Sequence, residues 1–367
     1  MVINGLKMVN FRNYTQKKYE FEDRLNFLIG PNGSGKTTTL EAIHLLSISK
    51  SFKTNSLKKL VNEKEDYFQV FGEFDNDEKQ KVNINYTRQE GKKILFNDQE
   101  LDRNIDLIGR IPVIILSPSD QRITEGPNSL RKNFINQILS QIDNKYLSSL
   151  VEYNSLKKRR NKLLKNYKEK GKNSYDLYFQ TLDEKLVKRA KYISDKRNSF
   201  LDKFNQIFQE SFQKISHFDR KVAIEIKNNI NLDKNYIEKY QSKLKDNFQQ
   251  ELDKGYTSIG VHRDKVRIYF GNNNIREVGS QGEHKIALIA LKMTEGNFIE
   301  KEGSKKVIYL MDDLFSMLDY DHCIKIIKQL SQDNQIFITT TELENAHTDS
   351  LAEDSYNIIE VGGSHGN

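Results

Sequence analysis

The 367-residue chain has a single cysteine, Cys323. One thiol cannot form an intramolecular disulfide, and cysteine-ligated zinc or iron–sulfur sites are excluded. Such usage suits a reducing compartment, and a cytoplasmic location is expected. No apolar run approaches the roughly 18 residues of a membrane-spanning helix. The first residues alternate polar and apolar positions, with Lys7, Arg12, Lys17 and Lys18 spread among them, unlike the charged-then-apolar order of a secretory signal. Helix breakers are also scarce. All four prolines, Pro31, Pro112, Pro118 and Pro127, fall in the first 127 residues, and between Pro127 and Gly255 the only glycine is Gly171. Apolar residues make up 37% and charged residues 30%, a balance that predicts solvated helix in part of the chain. The net charge of +7 is modest, so where the cations sit matters more than how many there are.

The breaker-poor stretch 129–215 is predicted to form long helices. In its second half Phe179, Leu182, Leu186, Ile193, Phe200, Phe204, Ile207 and Ile215 recur at helical spacing. Gly171-Lys172-Asn173-Ser174 predicts a turn between two antiparallel helices. A short strand at 222–226 and a helix at 234–254 complete this region. The flanks differ. Alternating and apolar runs in 2–30 and strand-like runs at 68–74, 81–87, 92–97 and 111–116 precede it. Strands at 266–270, 306–311 and 335–340 and helices near 281–298 and 321–331 follow. The expected organisation is an α/β domain, 1–128 and 255–367, split by a mostly helical insertion lobe at 129–254.

Gly30-Pro31-Asn32-Gly33-Ser34-Gly35-Lys36-Thr37 fits the phosphate-loop pattern G-x-x-x-x-G-K-[ST], with the apolar Phe27-Leu28-Ile29 before it and a helical segment after it. Glycines let successive backbone N–H groups curl round a phosphate, and the helix N-terminus adds positive potential. Lys36 is expected to neutralise the β- and γ-phosphates and the Thr37 hydroxyl to ligate Mg²⁺. Far along the chain, Val307-Ile308-Tyr309-Leu310-Met311 runs as a buried strand into Asp312 and Asp313. Asp312 is expected in the Mg²⁺ shell and Asp313 beside the attacking water, as orienter or base. The distance between the two motifs requires something large between them. A third element, Ser280-Gln281-Gly282-Glu283, opens an apolar helix and offers a hydroxyl and free N–H groups to an anion. Ser316-Met317-Leu318-Asp319 follows the acidic pair.

In this order the motifs resemble the ABC-type ATPase heads of the SMC, Rad50 and RecF group, and within it the RecF family. Phe11-Arg12-Asn13-Tyr14 matches that family's N-terminal motif, and Ser51-Phe52-Lys53-Thr54 resembles its Ser-Phe-Arg-Thr. Gly126-Pro127, Arg131-Lys132 and Phe134-Ile135-Asn136 resemble its Gly-x-Pro-x-x-Arg-Arg-x-Phe-Leu-Asp. Gly260-Val261-His262-Arg263-Asp264 and Asp312-Asp313-Leu314-Phe315-Ser316-Met317-Leu318-Asp319 match two further motifs closely. The departures are Lys53, Asn136, Val261 and the signature, where Glu283-His284-Lys285 stands for Gln-Gln-Arg; SMC-type heads often carry Gly-Glu there. The resemblance implies an ABC-type head that binds ATP and Mg²⁺. It implies two heads paired head to tail, each phosphate loop facing the partner's Ser280-Gln281-Gly282. It further implies duplex-DNA binding near single-strand gaps, slow DNA-stimulated hydrolysis, and work with RecO and RecR in loading RecA.

Residues 157–172 carry nine basic residues and one acidic. Lys157, Lys158, Arg159, Arg160 and Lys162 are candidate DNA contacts, since phosphate binding needs clustered charge; a solvated helix face is the alternative. Lys50, Lys53, Lys58 and Lys59 form a smaller group, with Lys53 the candidate contact. His262, Arg263 and Asp264 are expected between the nucleotide face and the lid, or else in a buried polar network. Gln121 is a candidate for the metal-and-water glutamine of ABC proteins. His44 and His322 are expected to be structural or surface residues, and Cys323 a helix residue with no redox role. A long SMC-like tether is disfavoured, because the insertion allows helices of at most about 40 residues, roughly 60 Å.

Overall fold

The structure is a computed structural model and describes residues 1–76, 78–216, 220–317, 320–341 and 356–362. The chain divides into two compact units. Met1–Gln121, Ser211–Phe218 and Ser280–Asn367 make the first; Arg122–Glu210 and Asp219–Gly279 make the second. Among the described residues no helix is long and apolar enough to cross a membrane.

The first unit begins with β1 (Val2–Phe11), β2 (Tyr14–Glu20), β3 (Leu25–Ile29), α1 (Lys36–Ile48), β4 (Tyr67–Asn76), β5 (Glu78–Thr87), β6 (Gly91–Phe96), β7 (Gln99–Glu100) and β8 (Val113–Leu116). Six of these strands form an antiparallel sheet in the order β2-β1-β4-β5-β6-β7. Its strands alternate, as a sheet with one buried face requires: Leu6 and Met8, Phe68 and Val70, Val82 and Ile84 point to the core. That core includes Leu40, Ala42, Ile43, Leu45 and Leu46 of α1, together with Ile308, Leu310 and Phe337. A helix apolar on nearly every side has packing on more than one side. The β1–β4 register slips between Ile3 and Gly5. There the buried Gln335 amide satisfies the Ile3 backbone, accepting from its N–H (2.8 Å) and donating to its carbonyl (2.9 Å).

The second unit holds α2 (Arg122–Glu125), α3 (Asn128–Ile142), α4 (Asn144–Glu169), α5 (Leu177–Ile215) as far as Glu210, β9 (Val222–Lys227), α6 (Tyr236–Asp246), α7 (Phe248–Lys254), β10 (Lys265–Phe270), β11 (Asn273–Asn274) and α8 (Ile275–Val278). At 39 residues α5 is about 60 Å long, the limit set by the sequence. The predicted helix at 234–254 is broken at Asn247, which closes α6 and opens α7. This unit is larger than the expected lobe at both ends. The reason is pairing: β10 is antiparallel to β9 along its whole length. Asn128 brackets the start of β10, its amide donating to Asp264 O and accepting from Val266 N.

The chain then completes the first unit with α9 (Gln281–Gly303), β12 (Ile308–Met311), α10 (Leu314–Met317), α11 (Tyr320–Leu330), β13 (Gln335–Thr340) and β14 (Tyr356–Glu360). A five-stranded parallel sheet runs β14-β3-β13-β12-β8. Parallel strands covered on both faces read as apolar runs, as in Phe27–Ile29 of β3 and Ile308–Met311 of β12. The architecture is the expected α/β fold with a helical insertion. With only β13 between β3 and β12, the loop after β3 and the acids after β12 leave the same edge. In open parallel sheets, ligands bind at the carboxyl ends of strands.

Candidate functional site

The loop 30–35 leaves β3 between two strands that clamp its start: Gly30 N donates to Thr340 O (3.4 Å), and Val361 N donates to Ile29 O (2.7 Å). Position 30 tolerates no side chain, since a Cβ would lie 2.0 Å from Val361 O. Gly35 has φ 109°, and a Cβ there would lie 2.2 Å from the Tyr14 hydroxyl. Tyr14 thus props the loop, and its hydroxyl donates to Ser34 O (3.4 Å). The Lys36 ammonium curls back onto the carbonyls of Gly30 (2.5 Å) and Pro31 (2.9 Å). Partial burial lowers the Lys36 pKa, and the carboxylates of Asp313 and Asp312 oppose that shift. Pro31, Asn32 and Gly33 are exposed, and a Cβ on Gly33 would meet nothing. The Ser34 hydroxyl oxygen is buried and has no hydrogen-bond partner among the described residues. A cation, an unpartnered buried hydroxyl and an open loop mouth fit a phosphate ligand.

The acidic strand closes on the same loop. Asp312 Oδ1 accepts from Thr37 Oγ1 (2.8 Å), a residue 275 positions away, and from Thr339 Oγ1 (3.0 Å). Asp313 is exposed, and its N–H donates to Thr339 Oγ1 (2.8 Å). Its φ of 55° is left-handed, an uncommon backbone held where neighbouring bonds over-determine it. Both motifs line one cleft of about 810 Å³, together with Arg12, Asn13, Lys53 and Lys59. Arg12 grips the buried Glu41 of α1 with two bonds (2.7 and 2.9 Å) and donates to Lys59 O (3.0 Å). Ser51 Oγ donates to the same Glu41 carboxylate and accepts from Lys53 N (2.9 Å) and Thr54 N (3.0 Å). Glu41 therefore ties two N-terminal motifs to the phosphate-loop helix. In the sequence Glu41 is only the one acid of a largely apolar helix, and nothing local names its partners. Lys53, read in the sequence as a DNA candidate, is a wall of this cleft.

Ser280 caps α9 in a capping box. Its Oγ accepts from Glu283 N (3.3 Å), while the Glu283 carboxylate accepts from Ser280 N (2.8 Å) and Oγ (3.0 Å). Ser280, Gln281 and Gly282 are exposed and do not line the phosphate-loop cleft of their own chain. Gln121 ends the short turn Pro118–Gln121 after β8, and Pro118 reaches the cleft. Leu318 and Asp319 lie outside the described residues.

The model of the family described as RecF/RecN/SMC N terminal domain matches residues 2–361. A DNA replication and repair protein RecF from Leptospira interrogans is 33% identical over 347 residues, covering 94% of this chain and 93% of the relative. The chain belongs to the RecF family. A RecF of Parabacteroides distasonis is 32% identical, over 93% of this chain and 92% of that protein. Among solved structures, the recombination mediator protein RecF-ATPrS in the RecFOR pathway superposes with a TM-score of 0.88 at 30% identity, covering 98% of this chain and 96% of that one. An Smc head bound to the C-winged helix domain of ScpA, at 15% identity and a TM-score of 0.56, shares the fold.

The remaining RecF-family motifs build the polar interior of the second unit. Asp264 accepts from Arg197 (3.0 Å) and Asn229 N (2.8 Å). Asn136 accepts from Arg197 (3.0 Å) and Tyr146 (2.7 Å). Arg131 holds the carbonyls of Val266 (2.9 Å) and Gly126 (3.0 Å). His262 Nδ1 pairs with the Tyr153 hydroxyl (2.7 Å) and Nε2 with Thr257 O (3.1 Å). Burial, with Lys157, Arg263 and Lys132 nearby, pushes its pKa down to about 3. Within this motif Asp264 is buried, His262 is half-buried and Arg263 is exposed. One candidate DNA contact is corrected. Arg160 is completely buried, bonded to Asp183 (2.6 and 3.2 Å), to Glu251 and to Thr257 (3.1 Å). It shares the inner stripe of α4 with Tyr153, Leu156 and Leu164. A charge run shows composition, not the face each charge occupies. Lys158, Arg159 and Lys162 are exposed and Lys157 is half-buried.

Proposed function

We propose that this chain is an ATP-binding, DNA-binding ATPase of recombinational repair that closes as a dimer on ATP. The observation that carries this reading is the Thr37–Asp312 hydrogen bond, which joins a phosphate loop to an acidic strand end in one cleft. The likeness to a RecF-ATP structure over 93% of this chain, at a TM-score of 0.87, supports it. Lys36 is placed to neutralise the β- and γ-phosphates, and the Ser34 hydroxyl and loop N–H groups to hold their oxygens. Thr37 and Asp312 are the residues that would hold Mg²⁺, which supplies charge neutralisation at the phosphates. Among the described residues no three His, Cys, Asp or Glu side chains converge as a metal site. Two protein oxygens plus substrate phosphates is the ordinary Mg²⁺ arrangement. Asp313, exposed at the cleft, is the group to accept a proton from the attacking water.

The outward-facing Ser280-Gln281-Gly282 then meets the phosphate loop of a second copy, so ATP becomes an interface ligand and hydrolysis releases the pair. Duplex DNA near single-strand gaps is the substrate surface, hydrolysis is slow and DNA-stimulated, and RecO and RecR are the partners in loading RecA. Sedimentation with and without ATP and duplex DNA tests the reading. The expected result is a monomer alone, a dimer with ATP, and a DNA-bound dimer with both. A chain that stays monomeric with saturating ATP and DNA would overturn the dimer mechanism, and failure to bind ATP would overturn the site.

A further inference from the structure

In the second unit the segment 253–263 lies along one stripe of α4. Asn161 Oδ1 accepts from Thr257 N and Oγ1 (both 2.8 Å). Lys168 donates to Asp253 O (2.6 Å). Lys165 runs beside Gly255, its Cγ 3.2 Å from where a Cβ would stand. Tyr153, one turn before Lys157, holds His262. Lys132 of α3 donates to the His262 carbonyl, and the exposed Arg263 stacks on the exposed Tyr256 at 5.3 Å. Five cations therefore follow one seam: Lys132, Lys157, Lys165, Lys168 and Arg263.

None of the five has a carboxylate partner among the described residues; their bonds run to carbonyls and an amide. Elsewhere in the unit Arg189, Lys191, Lys196 and Arg197 are all paired with acids. Asp253 and Glu169 beside these stretches are exposed, and the buried Asp264 after Arg263 is bonded to Arg197 and Asn229 N, its pull on Lys132 smaller than the effect of burial. Lys132 and Lys157 are partly buried, and burial lowers the pKa of each. Holding desolvated, unpaired cations together is unfavourable unless an outside anion offsets it. The neutral His262 adds no charge of its own.

We propose that this seam between α4 and the 253–263 segment is a track for the phosphate backbone of duplex DNA. The inference rests on the DNA-binding reading above and names its surface. From Lys157 to Lys168 the track runs about 16 Å at 1.5 Å per residue. That matches the rise of roughly five base pairs at 3.4 Å each. An open line of long cations suits an extended polyanion rather than one enclosed phosphate, and it carries no base information. Tyr256 adds an aromatic face for sugar or base.

The test compares two triple variants of the full chain with equal charge change. One, Lys157→Glu/Lys165→Glu/Arg263→Glu, reverses the seam. The other, Lys158→Glu/Arg159→Glu/Lys162→Glu, reverses exposed cations about a fifth to nearly half of a turn round α4 from the seam. Lys132 is left in place because it also holds the His262 carbonyl. Affinity for a random-sequence duplex is measured against salt, with ATP binding as the check that the site in the first unit is intact. The seam variant is expected to lose at least about tenfold in affinity and about 2.7 in log–log salt slope, the control far less. If the seam reversal unfolds the unit, Lys157→Gln/Lys165→Gln/Arg263→Gln is expected to show the same direction. Equal binding by the seam variant and the parent, or an equal loss in the control, overturns the track alone. A parent chain that binds ATP but no duplex overturns the DNA reading and the track with it.

Discussion

The Lys36 ammonium rests on two carbonyl oxygens, a placement that a phosphate can take over without breaking an ion pair. Lys36→Ala removes the loop's only charged side chain, and ATP affinity is expected to fall below detection in equilibrium dialysis. Lys36→Arg is expected to bind but turn over poorly, since a planar fork does not fit a point-charge niche. Asp313 allows a cleaner separation of binding from chemistry. Asparagine tolerates left-handed φ, so Asp313→Asn keeps the backbone at 55° and the bond to Thr339 while removing the base. The expected variant binds ATP normally and hydrolyses it at least about a hundredfold more slowly, the low end of the range for general-base catalysis; parental turnover would place the base elsewhere. Arg160 belongs to stability rather than to DNA. Arg160→Ala strands Asp183 and Glu251 in the interior, a loss of about 3–5 kcal/mol for breaking a buried pair. Urea unfolding should show that loss. Weakened DNA binding in a variant as stable as the parent would contradict the buried role.

At the scale of elements, the start of α9 and the His262 turn each carry a prediction. Glu283 fills the anion-accepting end of α9 with its own carboxylate, engaging the Ser280 hydroxyl and N–H together. Glu283→Gln keeps a capping side chain and removes the negative charge, so ATP-driven dimerisation should tighten in sedimentation; an unchanged dimer constant would mean that Glu283 already moves aside freely. For His262, the folded pKa of about 3 lies below the ordinary 6.5, so folding favours the neutral ring. The stability gained is complete above pH 6.5 and is lost as pH falls from 6.5 towards 3, at up to about 1.4 kcal/mol per pH unit. A ring-proton NMR titration should leave His262 neutral at pH 5; titration near 6.5 would place it in water. Element positions were largely legible because periodicity reports burial: the apolar runs 27–29 and 307–311 became parallel strands, and the proline-free stretch became α3 to α5. Partnerships across the chain were not legible. Nothing local marks Arg160 as facing Asp183 and Glu251, Gln335 as the amide that closes the β1 bulge, or β14 as the fifth parallel strand. The meeting of the loop 30–37 with Asp312 and Asp313 was legible, because each motif is written in contiguous residues. Glu41 was not, since its partners come from two other segments.

For the whole molecule, the decisive question is whether a complete ATP site belongs to one chain or to two. The cleft gathers Lys36, Thr37, Asp312 and Asp313 but not Ser280, Gln281 or Gly282, which stand exposed at the start of α9. If those residues act on a second chain's nucleotide, each chain supplies half of two sites. Two variants then fail for different reasons: Lys36→Ala lacks a working loop but keeps its signature, and Ser280→Arg keeps its loop but blocks closure with a bulky cation. In a mixed pair, the intact loop of the Ser280→Arg chain faces the intact signature of the Lys36→Ala chain, so one of the two sites is whole. Mixing the two inactive proteins with duplex DNA is therefore expected to restore ATP turnover that neither has alone, rising with the concentration of the second partner to a plateau. Ser280→Arg by itself should still bind ATP as a monomer, because its own loop is untouched. If Ser280 instead served the loop of its own chain, every chain in the mixture would stay defective. Turnover would then remain at background at every ratio, and that outcome would replace the paired site with one completed within a single chain.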